Sequence, residues 1–342
     1  MSVKVVRLDL WIDPCFDQLI GEQPGMELSI MKLSDPPEEN WKKLAEADIY
    51  HVSAAKDEVP LIYQVTSELL SRFPRLKVVS STGSGYDTID VKACSNAAVL
   101  VVNQAGGNAV SVAEHAIGLL LSLTHRITES DRVLRNGADV SRESLMGHEL
   151  SGKVIGLVGI GQIGSRMATL AKAFGMQVLA YDPYVDDVEV MRRGARPASL
   201  EAVLCESDVV SLHCPLTPET LSMVGASEFA SMKAGAYFVS TARGGVHDEV
   251  ALYEALRSGH LAGAGLDVWS VEPPPADHPL LSLPNVVATF HTAGVTQEGR
   301  TNVARVGALQ IIDIAAGSIP LRMINPEVAD QALQAFRKIT AQ

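Results

Sequence analysis

Arg243, Glu272 and His291 are the residues whose types could bind a small acid and move a proton. Arg243 stands in Thr241-Ala242-Arg243-Gly244-Gly245, Glu272 in Asp267-Val-Trp-Ser-Val-Glu272-Pro, and His291 in Phe290-His291-Thr-Ala-Gly294. A guanidinium on a loop can grip a carboxylate with two parallel N–H groups. An imidazole can give or take a proton near neutral pH. Each of the three follows a short β-rich run, so all three are expected at the C-terminal ends of strands in one sheet. That edge is where open α/β sheets bind their ligands.

The same stretch of chain carries a loop for an anionic ligand. Gly159-Ile-Gly161-Gln162-Ile163-Gly164 follows the apolar run Val154–Val158 and opens a helical pattern that stops at Gly175. The first glycine allows the tight turn, the second lets backbone approach a pyrophosphate, and the third lets helix pack on strand. Amides at the helix N-terminus then meet the anion. Asp182 ends the next strand eighteen residues after Gly164, where a carboxylate can accept both hydroxyls of an adenosine ribose. It would repel a 2′-phosphate, and Pro183-Tyr184 offer no arginine for one, so NAD is preferred to NADP. His213-Cys214-Pro215 ends another strand of this sheet and should border the cofactor, with Cys214 a small side chain beside it. Cys205, His213 and Cys214 have poor spacing for a metal, and no metal is expected. With hydride leaving the cofactor, charge grows on the acceptor oxygen, and Arg243 with protonated His291 would stabilise it.

Alternating strand and helix patterns are expected to position these groups. Strands are predicted at Val3–Leu10, Ile49–Ser53, Leu76–Ser81 and Val99–Val102. A second series runs through Val154–Val158, Gln177–Tyr181, Asp208–His213, Ala236–Thr241, Ala262–Val268 and Val286–Thr289. This rhythm is that of an α/β fold. Two glycine-containing loops, Thr82–Asp87 and Asn103–Asn108, lie just past strands. Ser111-Val-Ala-Glu114 has capping-box spacing before a long apolar helix. Thr217-Pro218 reads as a helix start, Asp248 as the cap of a helix ending at Ser258-Gly259, and residues 298–316 as an amphipathic helix. Residues 124–150 read as a surface arm.

Composition narrows the function classes. The chain has 342 residues, 47% apolar and 20% charged, with a net charge of −12. This is the composition of a soluble protein of about two domains. The acidic excess argues against non-specific nucleic-acid or anionic-membrane binding. Residues 93–113 carry no charge, but Asn96, Asn103, Gln104 and Asn108 break them for a membrane span. The N-terminal run reads as a strand and not as a signal peptide. Cys15, Cys94, Cys205 and Cys214 are scattered, which fits a reducing, cytoplasmic location.

From about Ser80 to Arg300 the chain resembles the D-isomer-specific 2-hydroxyacid dehydrogenases, which act on acids such as phosphoglycerate, hydroxypyruvate, glyoxylate and D-lactate. The matching segments are Gly83-Ser-Gly85-Tyr-Asp87-x-Ile-Asp90, Ser111-Val-Ala-Glu114, Gly159–Gly164, His213-Cys-Pro-Leu-Thr-Pro-Glu-Thr220, Thr241-Ala-Arg-Gly-Gly245, Gly265-Leu-Asp-Val268, Glu272-Pro273 and His291. The resemblance implies that Arg243 binds the substrate carboxylate and keto oxygen. It implies that His291 is the acid–base group and that Glu272 bonds the imidazole and raises its pKa. Amides of Gly83, Ser84 and Gly85, with Asn108, would hold the substrate. Val110, Thr220, Thr241, Ala242, Asp267 and Gly294 would join Gly159, Gly161, Gln162, Ile163, Gly164, Asp182, Pro183, His213, Cys214 and Pro215 around the cofactor, Asp267 meeting the nicotinamide amide. Ser240, Phe290 and Ala105 depart from the family's usual Asn, Pro and Pro; none removes a catalytic group.

The resemblance also implies two Rossmann-like domains. Residues 1–105 and 299–342 would form a discontinuous, flavodoxin-like substrate domain, and 106–298 the doubly wound NAD-binding domain, with a cleft between. A helix and arm at 111–150 would make a homodimer. The segment His51–Lys56 offers one Lys and no Arg for a phosphate, and the chain ends at Gln342 without a regulatory extension. Both favour a small 2-keto acid such as glyoxylate or hydroxypyruvate over phosphoglycerate. Two other readings remain: an NAD-sensing corepressor-type protein, and a formate- or phosphite-type dehydrogenase. Glu272 counts against a formate enzyme, where Gln is usual.

Overall fold

The computed structural model describes residues 2–137 and 139–340. They divide into two compact units, one of Met1–Asn108 with Thr296–Gln342, the other of Ala109–Val295.

The first unit is built on five strands, β1 (Val3–Leu8), β2 (Met26–Met31), β3 (Ile49–Ser53), β4 (Val78–Thr82) and β5 (Leu100–Val102). All pair in parallel, in the order β2-β1-β3-β4-β5. A parallel sheet is covered on both faces, so its strands are apolar on both sides. In β1, Val3 and Val5 pack with Phe16, Ile311 and Phe336 on one face. Val6 and Leu8 pack with Leu44, Leu69 and Cys94 on the other. The helix Gln297–Ala315 thus belongs to this unit although it follows the second in sequence. The strand order reverses between β1 and β3, which opens a crevice at their C-terminal ends.

The second unit carries seven strands: β6 (Val154–Val158), β7 (Gln177–Tyr181), β8 (Arg196–Pro197), β9 (Val209–Leu212), β10 (Ala236–Ser240), β11 (Leu261–Leu266) and β12 (Val286–Ala288). They too are parallel, in the order β12-β11-β10-β9-β6-β7-β8. This is the doubly wound dinucleotide-binding order with one strand added at its edge, and it reverses between β6 and β9. In β10, Ala236 and Phe238 join the core under Leu252 and Phe229, while Tyr237 and Val239 join the one under Leu120 and Met167. The α/β class read from the sequence is therefore the observed one.

Some local expectations fail for physical reasons. The apolar helix runs Ala109–Thr124, two residues ahead of the expected cap, so Ser111 is a buried residue of its first turn. Thr217-Pro218 opens a tight turn and no helix. There Thr220 Oγ1 accepts the Thr217 N–H at 2.7 Å and donates to the Pro215 carbonyl at 2.7 Å, which closes the chain on itself. Strand β2 is an addition to the expected strands, with Met26, Leu28 and Ile30 alternating with exposed Glu27 and Ser29 as at a sheet edge. The expected arm contains a helix, Ile127–Arg135, without a buried residue; position 138 of the arm lies outside the described residues.

Candidate active site

In the second unit the glycine loop is shaped by contact with its neighbour strand. Gly159 has φ +92°, and a Cβ there would lie 2.9 Å from the His213 carbonyl carbon and 3.0 Å from Cys214 N. A Cβ on Gly164 would lie 2.2 Å from Gly159 O. Side chains at either position would push β6, β9 and the helix apart. A Cβ on Gly161 meets nothing within 4 Å. Open space therefore faces Gly161, which is the N-cap of helix Gln162–Ala173, and the first amides of that helix, from Gln162, Ile163 and Gly164, begin beside it. Asp182, beyond the end of β7, accepts Ile160 N–H at 3.0 Å and Tyr184 N–H at 3.1 Å. Pro183 lies between Asp182 and Tyr184. These features fit a dinucleotide: an open anion site on backbone amides and a fixed carboxylate at the next strand end.

The rest of the edge is lined by groups that stay uncharged. His213 Nε2 bonds Ser211 Oγ at 3.0 Å, and its buried Nδ1 has no partner among the described residues. Burial pulls its pKa down to about 4, so the ring is neutral at pH 7. Burial pushes the Cys214 thiol up to about 11, which leaves it protonated and unsuited to a metal or to nucleophilic attack. No group of three or more His, Cys, Asp or Glu among the described residues could hold a metal. Pro215 follows, and Thr220 is committed to the turn already described. Thr241 Oγ1, just past β10, is buried without a partner among the described residues, and Ala242 beside it is buried. Val110 is exposed in the first turn of its helix.

Past β10, β11 and β12 the acid–base candidates come together. His291 Nδ1 and Glu272 Oε2 are 2.7 Å apart, and Glu272 Oε1 accepts Trp269 N–H at 3.0 Å. Burial pushes the Glu272 carboxyl up. The His291 bond and charge, the Trp269 amide and the nearby charge of Arg243 outweigh it and hold the group below the usual carboxylate range. Arg243, partly buried, donates from Nη1 to the Ala242 carbonyl at 2.7 Å. His291 has φ +51°, a left-handed conformation uncommon for residues other than glycine.

Asp267 bonds the loop around this residue. Its carbonyl accepts His291 N–H at 2.7 Å. Its carboxylate accepts Thr289 Oγ1 at 2.6 Å, Thr292 N–H at 2.8 Å and Ala293 N–H at 2.9 Å. His115 Nε2 reaches Thr289 Oγ1 at 3.0 Å from the neighbouring helix. Asp267 is fully buried. Both oxygens fasten the loop that runs from Thr289 through His291 towards Gly294, a bracing role that the sequence does not announce.

In the first unit the loop after β4 is braced by residues the sequence reading passed over. Gly83 N–H donates to Gln104 Oε1 at 2.7 Å, and Gln104 N–H donates to the Gly83 carbonyl at 2.7 Å. Gln104 Nε2 bonds Ser80 Oγ at 3.1 Å, Asn103 Nδ2 bonds the Ser84 carbonyl at 2.8 Å, and Ser81 Oγ bonds the Gly85 carbonyl at 2.6 Å. The Gly83 amide, expected to hold a carboxylate, is therefore taken by Gln104. The amides of Ser84 and Gly85 have no acceptor among the described residues. Asn108, partly buried, ends this stretch of the unit. The signal that could have found the brace is the pair Asn103-Gln104 at the end of β5, beside the strand that carries the loop.

Residues 117–293 match the model of the D-isomer specific 2-hydroxyacid dehydrogenase NAD binding domain. The chain is 41% identical over 259 residues to a D-3-phosphoglycerate dehydrogenase of Archaeoglobus fulgidus, 76% of this chain and 49% of that one. It thus spans about half the length of that relative. It is 40% identical to a glyoxylate reductase of Korarchaeum cryptofilum over 77% of this chain and 80% of that protein. Among solved structures, D-lactate dehydrogenase of Aquifex aeolicus, complexed with NAD and lactic acid, aligns with TM-score 0.80 and 29% identity, covering 94% of this chain and 98% of that one. With the glycine loop, the Asp182 carboxylate and the His291–Glu272 pair on one sheet edge, the chain belongs to the D-isomer-specific 2-hydroxyacid dehydrogenase family, and its second unit is that family's NAD-binding domain.

Proposed function

We propose that the chain interconverts a D-2-hydroxy acid and its 2-keto acid with NAD. The observation that carries this is the 2.7 Å His291–Glu272 pair, with Arg243 close enough to act on the same carboxylate. When bound, the nicotinamide supplies or accepts the hydride. In keto reduction, His291 Nε2 gives a proton to the substrate oxygen, and in the reverse direction it takes that proton back. Glu272 holds Nδ1, which fixes the ring orientation. Arg243 binds the carboxylate and opposes negative charge on the reacting oxygen. In the first unit, considered by itself, the Ser84 and Gly85 amides are donors that suit an anionic group. Asp182 accepts the adenosine ribose hydroxyls, which favours NAD over NADP.

The preferred substrate is a small 2-keto acid such as glyoxylate or hydroxypyruvate. Support comes from His51–Lys56, where Lys56 is the one cationic side chain that is not an imidazole. We further propose a cytoplasmic homodimer. The arm after helix Ala109–Thr124 exposes Ile127, Leu134, Val140 and Met146, and such apolar side chains favour burial against a second copy. A panel of 2-keto acids with NADH and with NADPH, followed at the nicotinamide absorbance, tests the reaction. Turnover of at least one acid with NADH preferred is expected; folded protein inert across a broad panel would sink the proposal.

A further inference from the structure

The dinucleotide loop is gripped from two sides by opposite charges. Ile160 N–H donates to Asp182 Oδ2 at 3.0 Å, and the Ile160 carbonyl accepts from Arg193 Nη1 at 2.7 Å. A carboxylate and a guanidinium thus flank one residue of the glycine loop. Arg193 sits eleven positions after Asp182, at the C-cap of helix Asp187–Arg192. Its Nε donates to Glu189 Oε1 at 2.7 Å, and its Nη2 bonds nothing among the described residues. Glu189 is shared, because Arg192 donates to both of its oxygens. Glu189 is thus divided between two guanidiniums. The sequence shows no cation at 183–184 for a 2′-phosphate; the fold brings one from further along the chain.

We propose that Arg193 is a second determinant of cofactor choice. It is a cation beside the ribose position, masked by Asp182, that receives a ribose 2′-phosphate once that carboxylate is removed. A ribose held through its hydroxyls by Asp182 would sit on the carboxylate that bonds Ile160, the residue whose carbonyl Arg193 clamps. With Asp182 present, a phosphate there meets a carboxylate first. With Asp182 absent, the same phosphate finds a guanidinium with an uncommitted nitrogen and a planar fork that suits phosphate oxygens.

The inference rests on dinucleotide binding by this loop, and the test separates the two. Asp182→Ser, Arg193→Gln and the double variant would be compared with the parent protein for NADH and NADPH kcat/KM. Binding of 5′-AMP and 2′,5′-ADP would be measured on the same four proteins. The expected result is that Asp182→Ser raises the NADPH/NADH ratio by at least about tenfold, and that Arg193→Gln on that background removes most of the gain. The same pattern is expected for 2′,5′-ADP over 5′-AMP, a readout that needs no turnover and that a loss of loop stability alone would not produce. Equal 2′,5′-ADP preference in the single and double variants overturns the role of Arg193, as does an Asp182→Ser protein that gains none. If the parent protein bound neither NADH nor 5′-AMP, the dinucleotide reading itself would fail.

Discussion

The two units use the same device, the C-terminal edge of a parallel sheet, with different chemistry. In the second unit the edge carries ionisable side chains, held by the buried Asp267 carboxylate on the His291 loop and by Trp269 N–H on Glu272. The first unit is braced without charge. Backbone amides at Ser84 and Gly85 are the open donors, and uncharged side chains, Gln104, Asn103 and Ser81, hold the loop in place. One edge thus carries the His291–Glu272 pair and the other a braced run of amides, and the two can be separated by kinetics. Damage to the pair should appear in kcat, and damage to the amides in KM.

The sharpest break of this comparison is His291→Ala. Loss of the acid–base group should lower kcat by about 10³-fold, within the range such groups supply, and leave NADH binding within about threefold. Stopped-flow single turnovers with a fluorescence titration of NADH would show both. A parallel loss of binding would mean that the histidine holds the loop and does not transfer the proton.

Arg243→Lys comes next. Lysine keeps the charge but not the planar pair of donors, and kcat/KM should fall by about 10²-fold. Steady-state kinetics with one keto acid would check it. A near-normal value would mean that Arg243 does not bind the carboxylate.

How far these features were legible follows the same division. The glycine loop, Asp182 and the strands around them are local: a turn, a helix start and an apolar run leave their marks within a few residues. The positions of Arg243, Glu272 and His291 could be read because each closely follows a strand of one sheet. What escaped was set by pairs distant in the chain. Gln104 reaches Gly83 across 21 positions, Asp267 reaches Thr292 across 25, and Arg193 reaches Ile160 across 33. Nothing in the local spacing says that Asp267, at a strand end and acidic, turns inward. That outcome depends on which loop arrives beside it.

Gln104→Ala probes the brace of the first unit. It leaves the Gly83 N–H and Ser80 Oγ without this partner, a loss of about 1–3 kcal/mol in stability where such groups stay buried. The amides of Ser84 and Gly85 then lose their fixed direction. The keto-acid KM should rise about tenfold with kcat within about threefold, the opposite pattern to His291→Ala. If kcat fell as far as KM rose, the two edges would share one role and the comparison would collapse.

The smallest effect concerns a feature that both edges share, a buried neutral histidine. His51 stacks on Phe16 in the first unit and bonds Ser80 and Thr82. Burial, with the charge of Arg7 adding to it, pulls its pKa to about 3, and burial pulls His213 in the second unit to about 4, both from 6.5. Both folded values lie below the unfolded one, so between pH 6.5 and about 4 the unfolded chain binds protons that the folded chain refuses. Stability is then full above pH 6.5 and falls with acidity, by roughly 1 kcal/mol per histidine near pH 6. Urea unfolding at pH 7.5, 6.0 and 5.0, with His51→Gln and His213→Gln alongside, measures the slope. Each variant should flatten it by one proton. A slope unchanged in His213→Gln would mean that this ring is charged in the folded protein, and the edge that borders the dinucleotide loop would then carry a positive charge.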